Sequence, residues 1–218
     1  MSTKYQTLLL FGAPGSGKGT QGHILGRVPG LVHVECGEIF RDLRVGSELG
    51  RAFLDYSSTG SLVPDSFTVQ LWHEYIEGLI SLHRFDPSAD MLVLDGIPRN
   101  VAQARLLENH IDVKRVYYLD CEDKDMMYMR LKRRALHENR LDDASDSVIQ
   151  KRLYVYEAET APVLKFYPES KIRRIDTGRT PIEVLADILS DVRNIALDQN
   201  QRPEELFHSG LTAVSNVV

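Results

Sequence analysis

The stretch GAPGSGKGT at residues 12–20 follows directly on the apolar run LLLF at residues 8–11. This order predicts a buried strand, a glycine-rich loop and the start of a helix. Glycines let the backbone turn tightly and point successive N–H groups at one anion, and the helix adds its positive N-terminal end. Lys18 brings a full positive charge to the same place. The alternative is a glycine-rich turn that binds no ligand, but this spacing of glycines and lysine would rarely arise by chance. The stretch therefore predicts a polyphosphate-binding loop.

The residue after the lysine restricts the type of loop. Loops of this general kind place a serine or threonine there, and its hydroxyl binds Mg²⁺. This chain has Gly19 at that position, and the hydroxyl comes one residue later, at Thr20. We therefore expect Mg²⁺ to be held mainly by phosphates and water.

The composition is that of one folded unit. The chain has 218 residues, 43% of them hydrophobic, so we expect a single domain over residues 1–218. The formal charge is −5, with 26 lysines and arginines against 31 acidic residues. This balance argues against a nucleic-acid or anionic-membrane partner, which would need a basic surface. We expect a monomer that binds small molecules.

Cysteine usage and hydropathy bear on the compartment. Cys36 and Cys121 lie far apart and form no metal or redox spacing, so we expect reduced thiols. No basic and apolar leader is seen at the start of the sequence, and no run approaches about 18 apolar residues. We expect a soluble, cytoplasmic protein.

Short apolar runs alternate with helical patterns along the chain. This alternation predicts an α/β fold with a parallel five-stranded sheet flanked by crossover helices. The runs predicted to be strands are residues 7–11, 31–35, 91–94, 114–120 and 171–176. The clearest helical patterns cover residues 149–167 and 182–195, and the second follows the helix-start signal Thr180-Pro181.

Two regions do not fit a simple alternation. About 55 residues separate the second and third predicted strands, too many for one helix, so we expect an inserted helical unit between residues 37 and 90. From Asp198 onward the chain becomes polar and loses its periodicity. We expect residues 198–218 to be a loosely attached tail.

Asp95, Arg99 and Gln103 follow the third predicted strand. A carboxylate beside the glycine-rich loop can orient waters bound to Mg²⁺, although Asp95 by itself would also suit an Asp-Gly turn. The Arg99 guanidinium can grip a second phosphate through two hydrogen bonds. The Gln103 amide suits the edge of a nucleobase, but its spacing alone favours an ordinary place on a helix surface.

A second basic set spans residues 130–152 and surrounds residues 135–141, a segment without a helix or strand pattern that itself contains Arg140. A solvated charged face is the ordinary explanation. Most of these charges are arginines, however, and mobile arginines that close over a phosphoryl group neutralise its oxygens and exclude water. We expect Asp142 and Asp143 to pair with these arginines or to cap the next helix. The basic set comprises Arg130, Lys132, Arg133, Arg134, Arg140, Lys151 and Arg152.

Eight motifs in family order make the chain similar to the short-lid adenylate kinases from about residue 7 to residue 192. They are GAPGSGKGT, CGEIFR, GSELG, SLVPD, DGIPRNVAQ, RLKRR, RLDD and KRL. The resemblance implies a P-loop NTPase-like α/β fold with a helical NMP-binding insertion at residues 37–66 and a short lid at residues 134–144. It also implies reversible transfer of the γ-phosphoryl group of Mg·ATP to a nucleoside monophosphate, with AMP as the expected acceptor.

The resemblance further implies roles for individual residues. ATP would be bound by Gly15, Ser16, Gly17, Lys18, Gly19, Thr20, Arg130, Arg134, Gly178 and Thr180. The nucleoside monophosphate would be bound by Cys36, Gly37, Arg41, Leu62, Val63, Gly96, Arg99, Gln103, Arg140 and Arg152. Catalysis would depend on Lys18, Arg99, Arg134, Arg140 and Arg152, and Asp95 would hold Mg²⁺ through water.

The position of Cys36 departs from the adenylate kinase pattern. That family usually has a threonine there, whose hydroxyl helps to read adenine, and a thiol is a weaker hydrogen-bonding group. Pyrimidine monophosphate kinases also lack the threonine, but they usually carry alanine there and asparagine in place of Gln103. A UMP/CMP kinase is therefore the alternative enzyme. A nucleotide-binding regulator that has lost catalysis is the alternative from another class.

Two further departures concern the lid region. Arg133 replaces a residue that is often small in the family. The stretch 143–152 is one residue longer than the commonest pattern, and one residue turns a helix by about 100°. If Arg152 is to face the site, the extra residue must be absorbed within residues 144–147.

Overall fold

Five parallel strands form one sheet, in the order Leu31–Glu35, Met91–Asp95, Tyr5–Phe11, Ile111–Asp120 and Ile172–Asp176. The computed structural model describes residues 4–43, 61–138 and 145–199, together with residues 51, 55, 56 and 59. The strands are β1 (Tyr5–Phe11), β2 (Leu31–Glu35), β3 (Met91–Asp95), β4 (Ile111–Asp120) and β5 (Ile172–Asp176). The predicted fold class is confirmed, and all five predicted strands are found at or close to their predicted bounds.

Helices connect the strands, as parallel pairing requires. They are α1 (Lys18–Leu25), α2 (Cys36–Arg41), α3 (Asp65–Ser81), α4 (Val101–Leu107), α5 (Lys124–Glu138), α6 (Asp146–Val155) and α7 (Pro181–Gln199). A π-helical turn (Tyr156–Thr160) and 3₁₀ turns (Ala161–Phe166 and Glu169–Lys171) join α6 to β5.

Successive residues of β1 enter two hydrophobic clusters, because side chains alternate between the faces of a strand. Leu9 packs in one cluster with Trp72 of α3, and Leu8 packs in the other with Ile188 of α7. All four side chains are fully buried. The sheet is covered on both faces, which explains why its central strand is an uninterrupted apolar run.

The N-terminal ends of two helices are fixed by local hydrogen bonds. At the start of α7, Thr180 donates from its backbone N–H and its hydroxyl to the Glu183 carboxylate, and Pro181 occupies the first turn. The predicted start of this helix is thereby confirmed. At α6, the Ser145 hydroxyl accepts from the Val148 N–H at 3.4 Å.

The prediction that residues 135–141 lack helix is wrong for the described part of that segment. Helix α5 continues through Glu138. Ala135, Leu136 and Glu138 are strong helix formers, so local propensity extends the helix beyond the arginine run. Arg140, Asp142 and Asp143 lie outside the described residues. The same holds for 13 residues of the expected insertion (44–50, 52–54, 57, 58 and 60), for residues 139–144 of the expected lid and for residues 200–218 of the expected tail.

Within the described ranges, no helix is both long enough and apolar enough to cross a membrane.

Two isoleucines of α7 provide a matched test of the packing. Ile188 is fully buried against the sheet, whereas Ile182 is 73% exposed. We expect Ile188→Ala to lower the free energy of unfolding by about 2–5 kcal/mol because it leaves a cavity, and Ile182→Ala to change it by less than about 0.5 kcal/mol. Urea unfolding of both variants measures the difference. Equal losses would show that α7 does not pack on the sheet as described.

Candidate active site

The glycine-rich loop between β1 and α1 is packed too closely to accept side chains. Gly12 and Gly15 have φ values of +150° and +84°. A Cβ atom at Gly12 would lie 2.4 Å from the Leu119 carbonyl oxygen, and one at Gly15 would lie 2.6 Å from the Met127 carbonyl oxygen. Glycine is therefore required at both positions for the loop to fit between the end of β4 and α5.

Lys18, the first residue of α1, folds back over this loop. Its Nζ donates to the carbonyl oxygens of Gly12 at 2.6 Å and Ala13 at 3.0 Å. Burial lowers the pKa of Lys18 to about 8, opposed by the attraction of Asp95 and reinforced by repulsion from nearby arginines. A bound anion would favour the charged form and reverse this shift.

Ser16 provides a second sign of an anion site in the loop. The residue is 1% exposed, and its hydroxyl has no hydrogen-bond partner within the described ranges. Buried hydroxyls are nearly always hydrogen-bonded, because an unsatisfied one loses its solvation without compensation. A phosphate oxygen over the loop would supply the partner.

Two carboxylates near the loop come from β2 and β3, which pair with each other. Glu35 ends β2 and Asp95 ends β3, and the two residues are paired in register. A Cβ atom at Gly19 would lie 3.6 Å from Glu35 Oε2 and 4.0 Å from Asp95 Oδ2. Burial raises the pKa of Asp95 to about 6, against the pull of Lys18, and the charge of Glu35 raises it further. These hard oxygen ligands at the start of α1 are of the kind that Mg²⁺ prefers.

Sequence reasoning missed Glu35. The signal was its place at the end of a predicted strand, as for Asp95. Only the pairing of β2 with β3 shows that the two carboxylates share one edge of the sheet.

A cavity of about 690 Å³ opens over the loop. Its lining includes all but three of the residues expected to bind nucleotides or metal. Of the residues expected to bind ATP, the lining includes Gly15, Ser16, Gly17, Lys18, Gly19, Thr20, Arg130 and Arg134. Of those expected to bind the monophosphate, it includes Cys36, Gly37, Arg41, Leu62, Val63, Gly96, Arg99, Gln103 and Arg152, and Asp95 lines it as well.

The other three predicted residues are not part of the described lining. Gly178 and Thr180 do not line the cavity, although Thr177, Arg179 and Pro181 beside them do. The Thr180 hydroxyl is instead used at the start of α7. Arg140 lies outside the described residues.

The backbone of Arg99 is held from two sides. Its N–H donates to Gln103 Oε1 at 2.7 Å, and its carbonyl oxygen accepts from the Thr160 hydroxyl at 2.7 Å. The side chain donates from Nε to the Gly96 carbonyl oxygen at 2.9 Å. Arg99 is thus fixed in the cavity wall before any ligand arrives.

Gln103 is 1% exposed, so the alternative of a helix-surface residue is wrong. Its Nε2 donates to Asp65 Oδ1 at 2.9 Å, and its backbone N–H donates to the Asn100 side chain that caps α4. Sequence reasoning also missed Asp65. Its signal was weak: one acidic residue at the start of a helix.

Other predicted residues are held by short polar contacts. Arg41 pairs with Glu35 at 2.6 Å, and Arg130 donates to the Thr177 carbonyl oxygen at 3.0 Å. Arg152 reaches the cavity from α6, which begins at Asp146. The helix therefore starts within residues 144–147, the stretch in which the extra residue was expected to be accommodated. Arg133 also lines the cavity, which gives it a place in the site but no defined contact.

A glycine-rich loop, a buried lysine and facing carboxylates at one edge of a parallel sheet define a P-loop phosphotransferase. The adenylate kinase family model matches residues 10–172. An adenylate kinase of Porphyromonas gingivalis is 35% identical over 82% of this chain and 91% of its own length. Those of a Cyanothece species and of Thermosynechococcus vestitus are 38% and 36% identical, covering 83% and 86% of this chain and 92% and 97% of their own lengths. The chain belongs to the adenylate kinase family, and its predicted enzyme class, a nucleoside monophosphate kinase, is confirmed.

The Cys36 thiol gives a test of how this part of the cavity wall is packed. Burial raises its pKa to about 11, so at pH 8 only roughly 0.1% is thiolate, the reactive form. In a Cys121→Ser variant we expect iodoacetamide to react at least about 100-fold more slowly than with the urea-unfolded protein. The rate should rise about tenfold per pH unit between pH 8 and 10. A native rate within tenfold of the unfolded one would contradict the placement of Cys36.

Proposed function

We propose that the cavity binds ATP along the glycine-rich loop and AMP against β2, β3 and α4. The observation that carries this proposal is the gathering of Lys18, Arg99, Arg134 and Arg152. All three arginines are close enough to lower the pKa of the buried lysine. Such a cluster suits the phosphates of two nucleotides. The reaction is reversible transfer of the ATP γ-phosphoryl group to AMP, which yields two ADP molecules.

On the ATP side, the loop holds the phosphates. Ser16 offers its unpartnered hydroxyl and Lys18 its ammonium group, and Gly15 through Thr20 supply the backbone at the helix start. Arg130 and the chain around Gly178 and Thr180 lie beside the adenine. The bond from Arg130 to Thr177 supports this arrangement, because it ties α5 to the β5–α7 loop.

On the acceptor side, Arg41 and Arg99 bind the AMP phosphate. Arg41 now pairs with Glu35, and an incoming phosphate would compete for its guanidinium. Leu62, Val63, Cys36 and Gly96 flank the base, and Gln103 reads its edge. Residues 37–66 act as the NMP-binding insertion, and residues 134–144, with Arg140, act as a short lid.

Catalysis requires alignment and charge neutralisation but no protein base. The acceptor is already an anionic phosphate oxygen, so no proton has to be removed from it. Lys18 and the arginines neutralise charge on the transferring group, and closure around it excludes water and so limits hydrolysis.

Asp95 and Glu35 fit a magnesium ion, since both present carboxylate oxygens beside the start of α1. When bound, Mg²⁺ screens the negative charge of the phosphates. The two carboxylates would hold the waters around it, in keeping with the lack of a hydroxyl at Gly19. A cytoplasmic location and a monomeric state stay predictions of the sequence.

The alternatives are not favoured by family membership. Diphosphate production from Mg·ATP with AMP, UMP, CMP and GMP offered separately tests the acceptor. We expect AMP to dominate and EDTA to abolish turnover. Dominant turnover with UMP or CMP would establish the pyrimidine alternative, and ATP binding without turnover of any monophosphate would establish the regulator.

Removal of single arginines tests the roles of the cationic side chains. We expect Arg99→Ala and Arg134→Ala each to lower kcat by roughly 10²-fold, because each removes charge stabilisation made in the transition state. Thermal unfolding should change little. The matched control is Arg105→Ala, which removes an exposed arginine from α4. Activity of either cavity variant within about threefold of the parent, or roughly 0.7 kcal/mol, would rule out this account.

A further inference from the structure

We propose that Asp65 sets the base specificity of the acceptor site by holding the Gln103 amide in one orientation. In that orientation the amide serves a 6-aminopurine and not a 6-oxopurine. The proposal rests on the proposed function, in which Gln103 faces the acceptor base. Asp65 is a positioning residue, since it does not line the cavity and acts through Gln103.

Hydrogen bonds identify the two ends of the amide. Gln103 Oε1 accepts from the Arg99 N–H at 2.7 Å, and Gln103 Nε2 donates to Asp65 Oδ1 at 2.9 Å. The same carboxylate oxygen accepts from Asn100 Nδ2 at 2.7 Å. The Asn100 side chain in turn accepts from the Gln103 backbone N–H at 2.8 Å. The amide is therefore held at its oxygen, at its nitrogen and through its backbone.

The reversed amide does not fit these partners. A half-turn would place the amide oxygen of Gln103 against the Asp65 carboxylate, where two acceptors meet. It would place the amide N–H groups against the Arg99 N–H, where donors meet. Both hydrogen bonds would be lost at a side chain that is only 1% exposed, and an unsatisfied buried amide loses its solvation without compensation.

A fixed amide can distinguish purines because their edges differ. Adenine presents an amino donor beside a ring-nitrogen acceptor, and a side-chain amide pairs with such an edge through two bonds. A 6-oxopurine presents a carbonyl acceptor beside a ring N–H donor, which requires the opposite amide orientation. In the described contacts Gln103 keeps one lone pair and one N–H to offer. An amide free to rotate by a half-turn could pair with either base edge. An amide held in one orientation pairs only with the adenine edge.

The position of Asp65 also connects this fixed amide orientation, called the lock below, to the cavity lining. It is the first residue of α3 and lies two residues after Val63, which lines the cavity. Its carboxylate joins this helix to the N-terminal end of α4, where Asn100 and Gln103 lie. Leu62 and Val63 are thereby kept in register with the residue that reads the base edge.

The test compares AMP with inosine monophosphate, whose base is a 6-oxopurine. We expect the parent enzyme to prefer AMP strongly in kcat/KM at saturating Mg·ATP. Asp65→Ala removes the acceptor oxygen and should lower the AMP/IMP ratio at least tenfold, with the KM for ATP within about twofold. This ratio does not depend on how much of the variant is folded. Asp65→Leu, of similar size, replaces the alanine variant if that one does not fold.

Two controls separate a lock from a loss of structure. Asp65→Asn keeps an oxygen acceptor without the charge, so its ratio should stay within about threefold of the parent. Asp86→Asn changes an aspartate outside the cavity that accepts from the Ser88 N–H and hydroxyl, and it should leave the ratio unchanged. Adding Asp65→Ala to a Gln103→Ala variant should change the ratio no further, because the aspartate acts through the glutamine.

The outcomes also separate this inference from the proposed function. If Gln103→Ala lowers the AMP/IMP ratio but Asp65→Ala leaves it within threefold of the parent, the lock is wrong and the acceptor site stands. If the parent shows no preference for AMP, or Gln103→Ala does not change the ratio, both the lock and the assigned acceptor-base site are wrong.

Discussion

The burial of Lys18 in a cavity that Arg99, Arg134 and Arg152 also line is the constraint on which the rest of the structure depends. Burial, with added repulsion from the three arginines, lowers the pKa of Lys18 to about 8. Asp95 offsets part of this repulsion, but at the cost of a buried carboxylate whose own pKa is raised to about 6. A polyphosphate placed among these groups turns the repulsion into attraction.

The order of the strands determines where these charges can meet. β1 lies between β3 and β4. The connection from β1 runs to β2 on one side of the sheet, and the connection from β3 passes β1 to reach β4 on the other side. Clefts in open parallel sheets form at the carboxyl end of the strand where the connections diverge. The glycine-rich loop follows β1 at this point. Asp95 ends β3 at the same edge, so its carboxylate and the glycine-rich loop need no long side chains to meet.

The parts of the site that were predictable from sequence are those with a strong local pattern. The loop at residues 12–20 could be predicted from its glycine spacing, and the strands could be predicted from their short apolar runs. Glu35 and Asp65 could not. Glu35 gains its position from the pairing of β2 with β3, and Asp65 from contact with residues 35 and 38 positions away in sequence. The prediction that the helix ends before residue 135 was wrong, because residues 135–138, which follow the arginine run, have a high helix propensity.

Cys36 and Gln103 favoured different acceptor bases when only their identities were considered, and the structure shows that the two positions are not equivalent. The Cys36 thiol is buried and stays neutral because its pKa is raised to about 11, so it offers only a weak donor. The Gln103 amide is itself buried and has a hydrogen-bond partner at each end. Reading a base edge requires a donor and an acceptor at fixed places, and of these two residues Gln103 is the one that meets that requirement. A family member can therefore carry cysteine at position 36 and still select adenine, provided that its glutamine is held in one orientation.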